Sequence, residues 1–220
     1  MKLKLLFLFG MAFLIGGCQL LGSGKQQATI YSAELYSAYS AVPQSLSIVR
    51  SDLIFKSGGV ATDCNSYYQL SLAGRVDESV SNQQVRGEYL VCDALNILEN
   101  TTLSAVDSVD VAFGQALRSG LDLRSFPSSV RQLAEETKYS FEELFPAESD
   151  VLAETVRLYL EDWNLSVSVV ATLDLNASGS ADWVIWVVDE SLDGNYRSYG
   201  TYVIYDPDMN KPYQAELYDK

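Results

Sequence analysis

The chain has 220 residues, with 15 lysines and arginines, 29 aspartates and glutamates, no histidine and a formal net charge of −14. Without histidine there can be no Ser-His-Asp or Cys-His catalytic site and no histidine-ligated zinc or haem. The excess of acidic residues argues against a nucleic-acid partner, because phosphate binding needs clustered lysine and arginine.

The first residues have the order of a secretory signal. Two lysines precede an apolar run over residues 5–15, which is too short for a membrane-spanning helix of about 20 residues. The run ends in Ile15-Gly16-Gly17-Cys18. This order resembles the lipobox of bacterial lipoproteins, in which an aliphatic residue and two small residues precede the cysteine that is lipidated.

The resemblance implies cleavage before Cys18 and attachment of acyl chains, such as palmitate, to that cysteine. Gln19 follows where an aspartate would favour inner-membrane retention, so the resemblance implies an outer-membrane location. The alternative is an ordinary cleaved signal with a coincidental cysteine. We therefore expect a signal peptide over 1–17, a lipidated cysteine with a flexible tether over 18–29, and one domain over 30–220.

The N-terminal half of this domain is predicted to be rich in β-structure. Tyrosines and a leucine at helix-like spacing over residues 30–39 indicate either a short helix or a solvated segment that leads into the domain. Apolar and aromatic runs bounded by turn residues then indicate strands. These strands are expected at residues 46–50, 53–55, 65–76 and 84–98.

The middle of the chain is predicted to be helical, with about three helices. Apolar residues three and four apart favour a helix over 106–120, and a second helix is expected to begin near Pro127. Ser140 with Glu143 fits a capping box for a short turn. A third helix is expected over about 149–162.

The last quarter is predicted to return to β-structure as a three-strand meander. Strands are expected at 165–173, 183–188 and 199–205, and the middle one has apolar residues on both faces. A β, then α, then β order predicts a single α+β domain with a mostly antiparallel sheet.

Cys64 and Cys92 remain once Cys18 is assigned to the lipid. An exported chain with two cysteines most simply forms one disulfide. A redox role is the alternative, but the pair lacks CxxC spacing and a basic neighbour that would lower a thiol pKa. We therefore predict a structural bridge.

Residues 174–182 resemble calcium loops of the DxDxDG type and the loops of FG-GAP repeats. Oxygen-bearing side chains fall at positions 1, 3, 5 and 9, with glycine at position 6. Two positions carry amide or hydroxyl groups where acids are usual, and Ile185 replaces the acid expected at position 12. A meander would bring further acids to the same edge, so the candidate calcium ligands are Asp174, Asn176, Ser178, Asp182, Asp206 and Asp208.

A simpler interpretation of this loop remains open. Aspartate, asparagine, serine and glycine also form hairpin turns through turn chemistry alone. Lys211 is the nearest basic residue that could compensate the acidic charges.

These features favour an outer-membrane lipoprotein that faces the periplasm. As a non-enzymatic accessory or scaffold protein, it is expected to bind another envelope component, a protein partner. No catalytic residue is assigned, since the chain has no SxxK motif and no glycine-rich phosphate loop. One alternative is a carboxylate-based hydrolase acting on envelope glycans. Another is a binding module that depends on calcium.

Overall fold

The structure is a computed structural model that describes residues 28–101 and 111–218. The helices are α1 (Ala33–Ser40), α2 (Cys64–Ala73), α3 (Val80–Val85), α4 (Leu90–Asn100), α5 (Phe113–Gly120) and α6 (Phe141–Leu144). Short 3-10 helices lie at Gln44–Ser47, Arg86–Tyr89 and Arg131–Leu133. The strands are β1 (Thr29–Ile30), β2 (Leu53–Ile54), β3 (Val60–Ala61), β4 (Ser149–Leu152), β5 (Thr155–Leu160), β6 (Trp163–Leu173), β7 (Asp182–Ser191) and β8 (Arg197–Ile204).

Six of these strands form one antiparallel sheet. Its order is β4-β5-β6-β7-β8, and β1 pairs with the second half of β6. A register shift between Val169 and Ala171 bends β6 where its pairing with β5 ends and its pairing with β1 begins. Strands β2 and β3 form a separate hairpin. The mixture of helices with a mostly antiparallel sheet confirms the predicted α+β class, and β6, β7 and β8 are the predicted C-terminal meander.

The sheet lies between two hydrophobic cores because its strands alternate apolar residues between its faces. On one face, residues such as Leu165, Val167 and Ile185 pack with aromatic residues of the segment from α5 to α6. On the other face, Val184 and Val203 pack with the apolar side of α4. Packing on each face of the sheet buries apolar surface away from water. This burial is the main stabilising contribution to such a fold.

The prediction of a β-rich N-terminal half is wrong. Residues 65–76 and 84–98, expected as strands, contain helices α2 and α4. Asp63 begins α2 with a capping box to Ser66. In α4, Val91, Ala94 and Leu98 are buried at helical spacing. Of the other two strands expected here, β2 lies within 53–55, whereas residues 44–47 form a 3-10 helix and 48–50 are not in a strand.

The prediction of about three helices in the middle is also only partly correct. Residues 149–162, expected as a helix, form the hairpin of β4 and β5, because Val156 and Leu158 alternate with outward-facing Arg157 and Tyr159. Near residue 127 only a 3-10 turn at 131–133 forms among the described residues. Helix α5 occupies the C-terminal part of the helix expected over 106–120, whose residues before 111 lie outside the described part.

Two further expectations have clear outcomes. The capping box of Ser140 and Glu143 is confirmed at the start of α6, and the short helix expected over 30–39 is α1.

Of the predicted tether, only Ala28 and Thr29 are described, and Thr29 already belongs to β1. The signal segment and Cys18 lie outside the described residues. Within residues 28–101 and 111–218, no helix has both the length and the apolar character needed to cross a bilayer.

The cap of α2 predicts a loss of stability in acid. Hydrogen bonds from the Ser66 side chain and backbone lower the pKa of Asp63 below its ordinary value of 3.8. The stability that the ionised cap contributes is therefore fully present above that value, and it is lost as the pH falls through the pKa of the folded state. Asn in its place caps the helix without titrating. Thermal melts from neutral to acidic pH should show a smaller loss for Asp63→Asn, and parallel curves would contradict this account.

Candidate functional site

Cys64 and Cys92 form the predicted disulfide. Their Cα atoms lie 5.2 Å apart, they are separated by 28 positions in the chain, and both are fully buried. The bridge joins the first residue of α2 to the first turn of α4, two helices rather than the two strands that we expected. It therefore holds together the two helices that form one wall of the larger of the two cavities described below.

This cavity has a volume of about 540 Å³ and lies between α2, α4, strand β8 and the C-terminal segment. Its volume falls within the range of small-molecule sites, about 300–1,000 Å³. Tyrosines dominate its wall, which includes Tyr67, Tyr68, Tyr199, Tyr202 and Tyr218. The exposed side chains of Leu72 and Leu217 also line it.

An ion pair between Arg86 and Asp93 forms the polar centre of this cavity. Arg86 Nη2 lies 2.6 Å from Asp93 Oδ2, and the two side chains are 20% and 19% exposed. The Tyr67 hydroxyl donates to Asp93 Oδ1 at 2.7 Å, and the Arg86 guanidinium lies 5.4 Å from the centre of the Tyr67 ring. Both oxygens of Asp93 thus accept hydrogen bonds from the protein itself.

The electrostatics of the pair keep it charged. Burial disfavours the charged form of Arg86, but the attraction of Asp93 outweighs it and raises the pKa of Arg86 above its usual value. Burial, together with the charge of Asp93, raises the pKa of Tyr67. Burial and the hydrogen bond to Glu190 raise the pKa of Tyr199 to about 12. Tyr67 and Tyr199 are therefore neutral at neutral pH.

One nitrogen of Arg86 has no hydrogen-bond partner in the part of the chain that the structure describes. The Nη1 atom is buried and makes no hydrogen bond to any of the described residues. An unsatisfied buried donor costs about 1–3 kcal/mol, and more when the group is charged. Because this atom has almost no accessible surface, solvent does not reach it either, and the cost of its unpaired N–H groups is part of the cost of burying the ion pair.

A smaller cavity of about 250 Å³ adjoins the first. The walls of both cavities include Arg86 and Tyr199. Residues 196–199 line the smaller cavity, and residues 199–202 line the larger one. Arg86 and Tyr199 therefore stand at the junction of two cavities that extend along β8.

The C-terminal meander brings most of the predicted calcium ligands together. Asp206 accepts hydrogen bonds from Asn176 Nδ2 at 2.8 Å and from the Ser178 hydroxyl, and its own N–H donates to Asp182 Oδ1 at 2.8 Å. Asp174 accepts from the backbone N–H groups of Ser178 and Gly179. These contacts join the loop after β6 to the residues that follow β8.

The same contacts occupy oxygen atoms that a calcium ion would need. Asp182 is fully buried, and its other oxygen accepts from the Leu175 N–H at 2.7 Å. Burial raises the pKa of Asp182 against these hydrogen bonds, and the charges of Asp206 and Asp174 add to the increase. Asp208 instead pairs with Lys211, at 3.1 Å. Within residues 28–101 and 111–218, no three cysteine or carboxylate side chains are arranged to hold a metal ion.

The calcium prediction has a direct test. Bound calcium stabilises the folded state by mass action, so the predicted site implies a higher Tm in millimolar calcium than in chelator. The double variant Asp174→Asn with Asp182→Asn should lose that difference. Equal Tm values for the wild-type protein in both solutions would instead identify the segment as a hydrogen-bonded turn.

Arg86 and Asp93 are not among the functional residues expected from the sequence. They are seven positions apart in the chain, which is about two helical turns, so a helix would place both side chains on one face. Asp93 is also the one charged residue within the run of buried residues from Leu90 to Leu95 in α4. These signals are visible only if residues 84–98 are interpreted as helical, whereas the strand interpretation places the two side chains on opposite faces.

Comparison of this chain with protein-family models, with curated proteins and with solved structures finds no match.

Proposed function

We propose that this protein is a lipoprotein, held in the outer membrane through Cys18 and facing the periplasm, whose domain binds another envelope component without catalysing a reaction. The observation that carries the binding proposal is the tyrosine-lined cavity built around Arg86 and Asp93. Fixed aromatic walls with a few placed polar groups are typical of binding sites.

The state of Asp93 supports binding over hydrolysis. A glycoside hydrolase places two carboxyl groups on either side of the bond that it cleaves. Among the described residues that line the larger cavity, Asp93 is the one carboxylate. Its oxygens are held by Arg86 and Tyr67, so it acts as the counter-charge of the arginine.

The charge of the chain supports a lipid anchor. Removal of residues 1–17 takes away two lysines and no acid, which leaves the protein still more acidic than the full chain. An acidic protein is repelled by an anionic bilayer surface, so membrane attachment has to come from acyl chains, at about 0.8 kcal/mol per buried CH₂.

The anchor predicts a change of location in Cys18→Ser. Without the thiol no acyl chain can be attached, so the variant should leave the membrane fraction or remain unprocessed. Fractionation of membranes and intact-mass measurement of the product detect both outcomes. A variant that matures normally and stays with the outer membrane would show that Cys18 is not the anchor.

The binding role predicts a stoichiometric partner in detergent-solubilised envelope. The wild-type protein should retain this partner, and Tyr218→Leu, which alters the cavity wall, should retain less of it. Tyr159→Leu is the matched control, because Tyr159 is 47% exposed on β5 and does not line either cavity. If the wild-type protein released glycan fragments from the envelope and Asp93→Asn did not, the result would contradict the proposal and favour the hydrolase.

A further inference from the structure

Strand β8 is an edge of the six-stranded sheet, and most of that edge is unpaired. The strand order ends at β8, which has β7 on one side. On its other side Val203 exchanges two backbone hydrogen bonds with Glu216, at 2.8 and 2.9 Å, and within residues 28–101 and 111–218 this isolated bridge is the only pairing there. The next residues, 217 and 218, line the larger cavity instead of pairing with β8. The edge before Val203 is therefore open to a further strand.

The alternation of an antiparallel ladder shows which backbone groups of β8 are open. Residues of such a strand bond in turn to one neighbour and to the other. The N–H and C=O of Val203 point away from β7, so those of Thr201 and Tyr199 point away from it as well. No described residue bonds to these groups of Thr201 and Tyr199. Two donors and two acceptors, spaced as a strand needs them, are therefore available at this edge.

The two cavities lie along the same edge. Successive side chains of a strand point to opposite faces of the sheet. The larger cavity is lined by all of residues 199–202, so it lies at the edge of β8 and not over one face. The smaller cavity continues along residues 196–199. The helices beside β8 are therefore separated from its edge by a groove that follows the strand from residue 196 to residue 202.

This edge lacks the features that commonly prevent strand addition, which are lysine, proline and β-bulges. Strand β8 contains no lysine and no proline, and its register with β7 is continuous. Its one charged residue is Arg197, whose guanidinium donates to the backbone oxygens of Ser191 and Tyr196. That side chain is therefore held against the preceding turn and does not guard the edge.

The wall of the groove favours apolar side chains on one face of an added strand. Residues opposite Thr201 and Tyr199 would place their side chains on the face that carries Val203, which packs in the core with α4. On this side Leu72 and Leu217 line the larger cavity, although they are 86% and 72% exposed. An added strand with apolar residues at alternate positions would bury these leucines.

The charge of the groove favours a basic segment. The ion pairs at its walls join Arg86 to Asp93, Arg197 to Glu190 and Lys56 to Glu78. Asp77 also lines the smaller cavity, and its carboxylate forms no ion pair with any described residue. The net charge of −14 attracts a basic partner and opposes the pairing of two copies of this chain.

We propose that the open edge of β8 binds an extended segment of a partner protein as an added antiparallel strand, with alternate apolar residues facing α2 and α4 and a lysine or arginine beside Asp77. The antiparallel direction continues that of Glu216. The inference rests on the proposed binding function and names the class of envelope component, a protein with an extended basic segment.

The test measures binding of a synthetic peptide to the full-length chain in a nonionic detergent by titration calorimetry. The peptide is acetyl-Thr-Val-Thr-Val-Thr-Lys-Lys-amide. Paired antiparallel, its valines lie opposite Thr201 and Tyr199, and its lysines lie at the smaller cavity with Asp77. Methyl groups on the two valine nitrogens remove the donors that face β8 and should weaken binding by about tenfold or more. Methyl groups on the two threonine nitrogens that follow the valines should leave binding unchanged, because those nitrogens face away from β8.

Thr201→Pro tests the edge of the protein. Residue 201 does not donate to β7, so proline there removes an outward N–H, keeps the ladder with β7 and should weaken peptide binding. Val151→Pro is the matched control and should bind the peptide as the wild-type protein does. Val151 lies on β4, the opposite edge of the sheet, and lines neither cavity.

Asp77→Asn tests the charge requirement. It should weaken binding of the lysine peptide by about twofold to fivefold, as expected for loss of an exposed ion pair. It should not change binding of a peptide in which glutamines replace both lysines. Equal effects on the two peptides would contradict the basic character of the partner segment.

Hydrogen exchange followed by NMR tests the inference without any variant, and so keeps it falsifiable if Thr201→Pro does not fold. The peptide should slow exchange of the Tyr199 and Thr201 amides, whereas those of Gly200 and Tyr202 are already bonded to β7. Absence of peptide binding, equal weakening by both methylated peptides, or full binding by a folded Thr201→Pro would each overturn the inference. Self-association of the wild-type protein that Thr201→Pro abolishes would also overturn it, in favour of a second copy at this edge.

The outcome of the peptide experiment is separate from that of the proposed function. A partner retained from the envelope without binding of the peptide would overturn the inference and leave the proposed function standing. Binding of the peptide by the expected nitrogens, with no partner retained from the envelope, would support the strand edge and contradict the proposed function.

Discussion

Replacing Asp93 by leucine is expected to lower the free energy of unfolding by about 3 kcal/mol or more. The variant would leave the Arg86 guanidinium four-fifths buried without its counter-charge, and the Tyr67 hydroxyl without its acceptor. Breaking a buried pair costs more than the pair contributes, because the remaining charge is not solvated. Urea unfolding at neutral pH measures the difference.

Two variants control this prediction. The double variant Arg86→Met with Asp93→Leu removes both charges and should recover most of the lost stability. Glu78→Leu breaks the pair with Lys56, which has a similar 3.0 Å separation but side chains 51% and 86% exposed, and it should change stability by only about 0.5 kcal/mol. If Asp93→Leu unfolds at the same urea concentration as Glu78→Leu, the Arg86–Asp93 pair is not a buried structural pair.

Removal of the Cys64–Cys92 disulfide is expected to destabilise the protein by up to about 3–4 kcal/mol, from the loop-closure entropy of a bridge spanning 28 positions. The bridge also holds α2 against α4, so the reduced protein should have a less ordered cavity and weaker ligand binding. Unfolding of Cys64→Ser with Cys92→Ser, compared with the wild-type protein, measures the loss.

The bridge itself is checked by the intact mass of the delipidated protein before and after reduction. Reduction should add two hydrogen atoms, and a thiol-reactive label should modify Cys64 and Cys92 only after reduction. Labelling of both residues in the oxidised protein would show that the bridge does not form.

For several elements, the residues within a short stretch of the sequence were sufficient to predict the structure. Ser140 and Glu143 satisfy each other's backbone N–H groups within four residues, so the start of α6 is visible in the sequence. The long meander could also be predicted, because β6 and β8 are long enough to establish an alternating pattern. The disulfide followed from the number of cysteines, whatever secondary structure surrounds them.

Short apolar segments were not predicted correctly, because their neighbours decide their structure. Residues 84–98 contain enough apolar positions for a buried strand or a buried helix, and packing of α4 against Val184 and Val203 selects the helix. Residues 149–160 have charged and apolar positions compatible with a helix. They form a hairpin because β6 offers a partner along its first half.

By itself, the sequence therefore determined the α+β class, the C-terminal meander and the pairing of Cys64 with Cys92. Only the tertiary structure decided where the cavity around Arg86 and Asp93 forms. Tyr67, Arg86 and Asp93 come from the helical side of the site, whereas Tyr199 and Tyr218 arrive from more than a hundred residues later in the chain. Such contacts depend on how distant segments of the chain pack against each other. Local propensities and residue spacing contain no information about that packing.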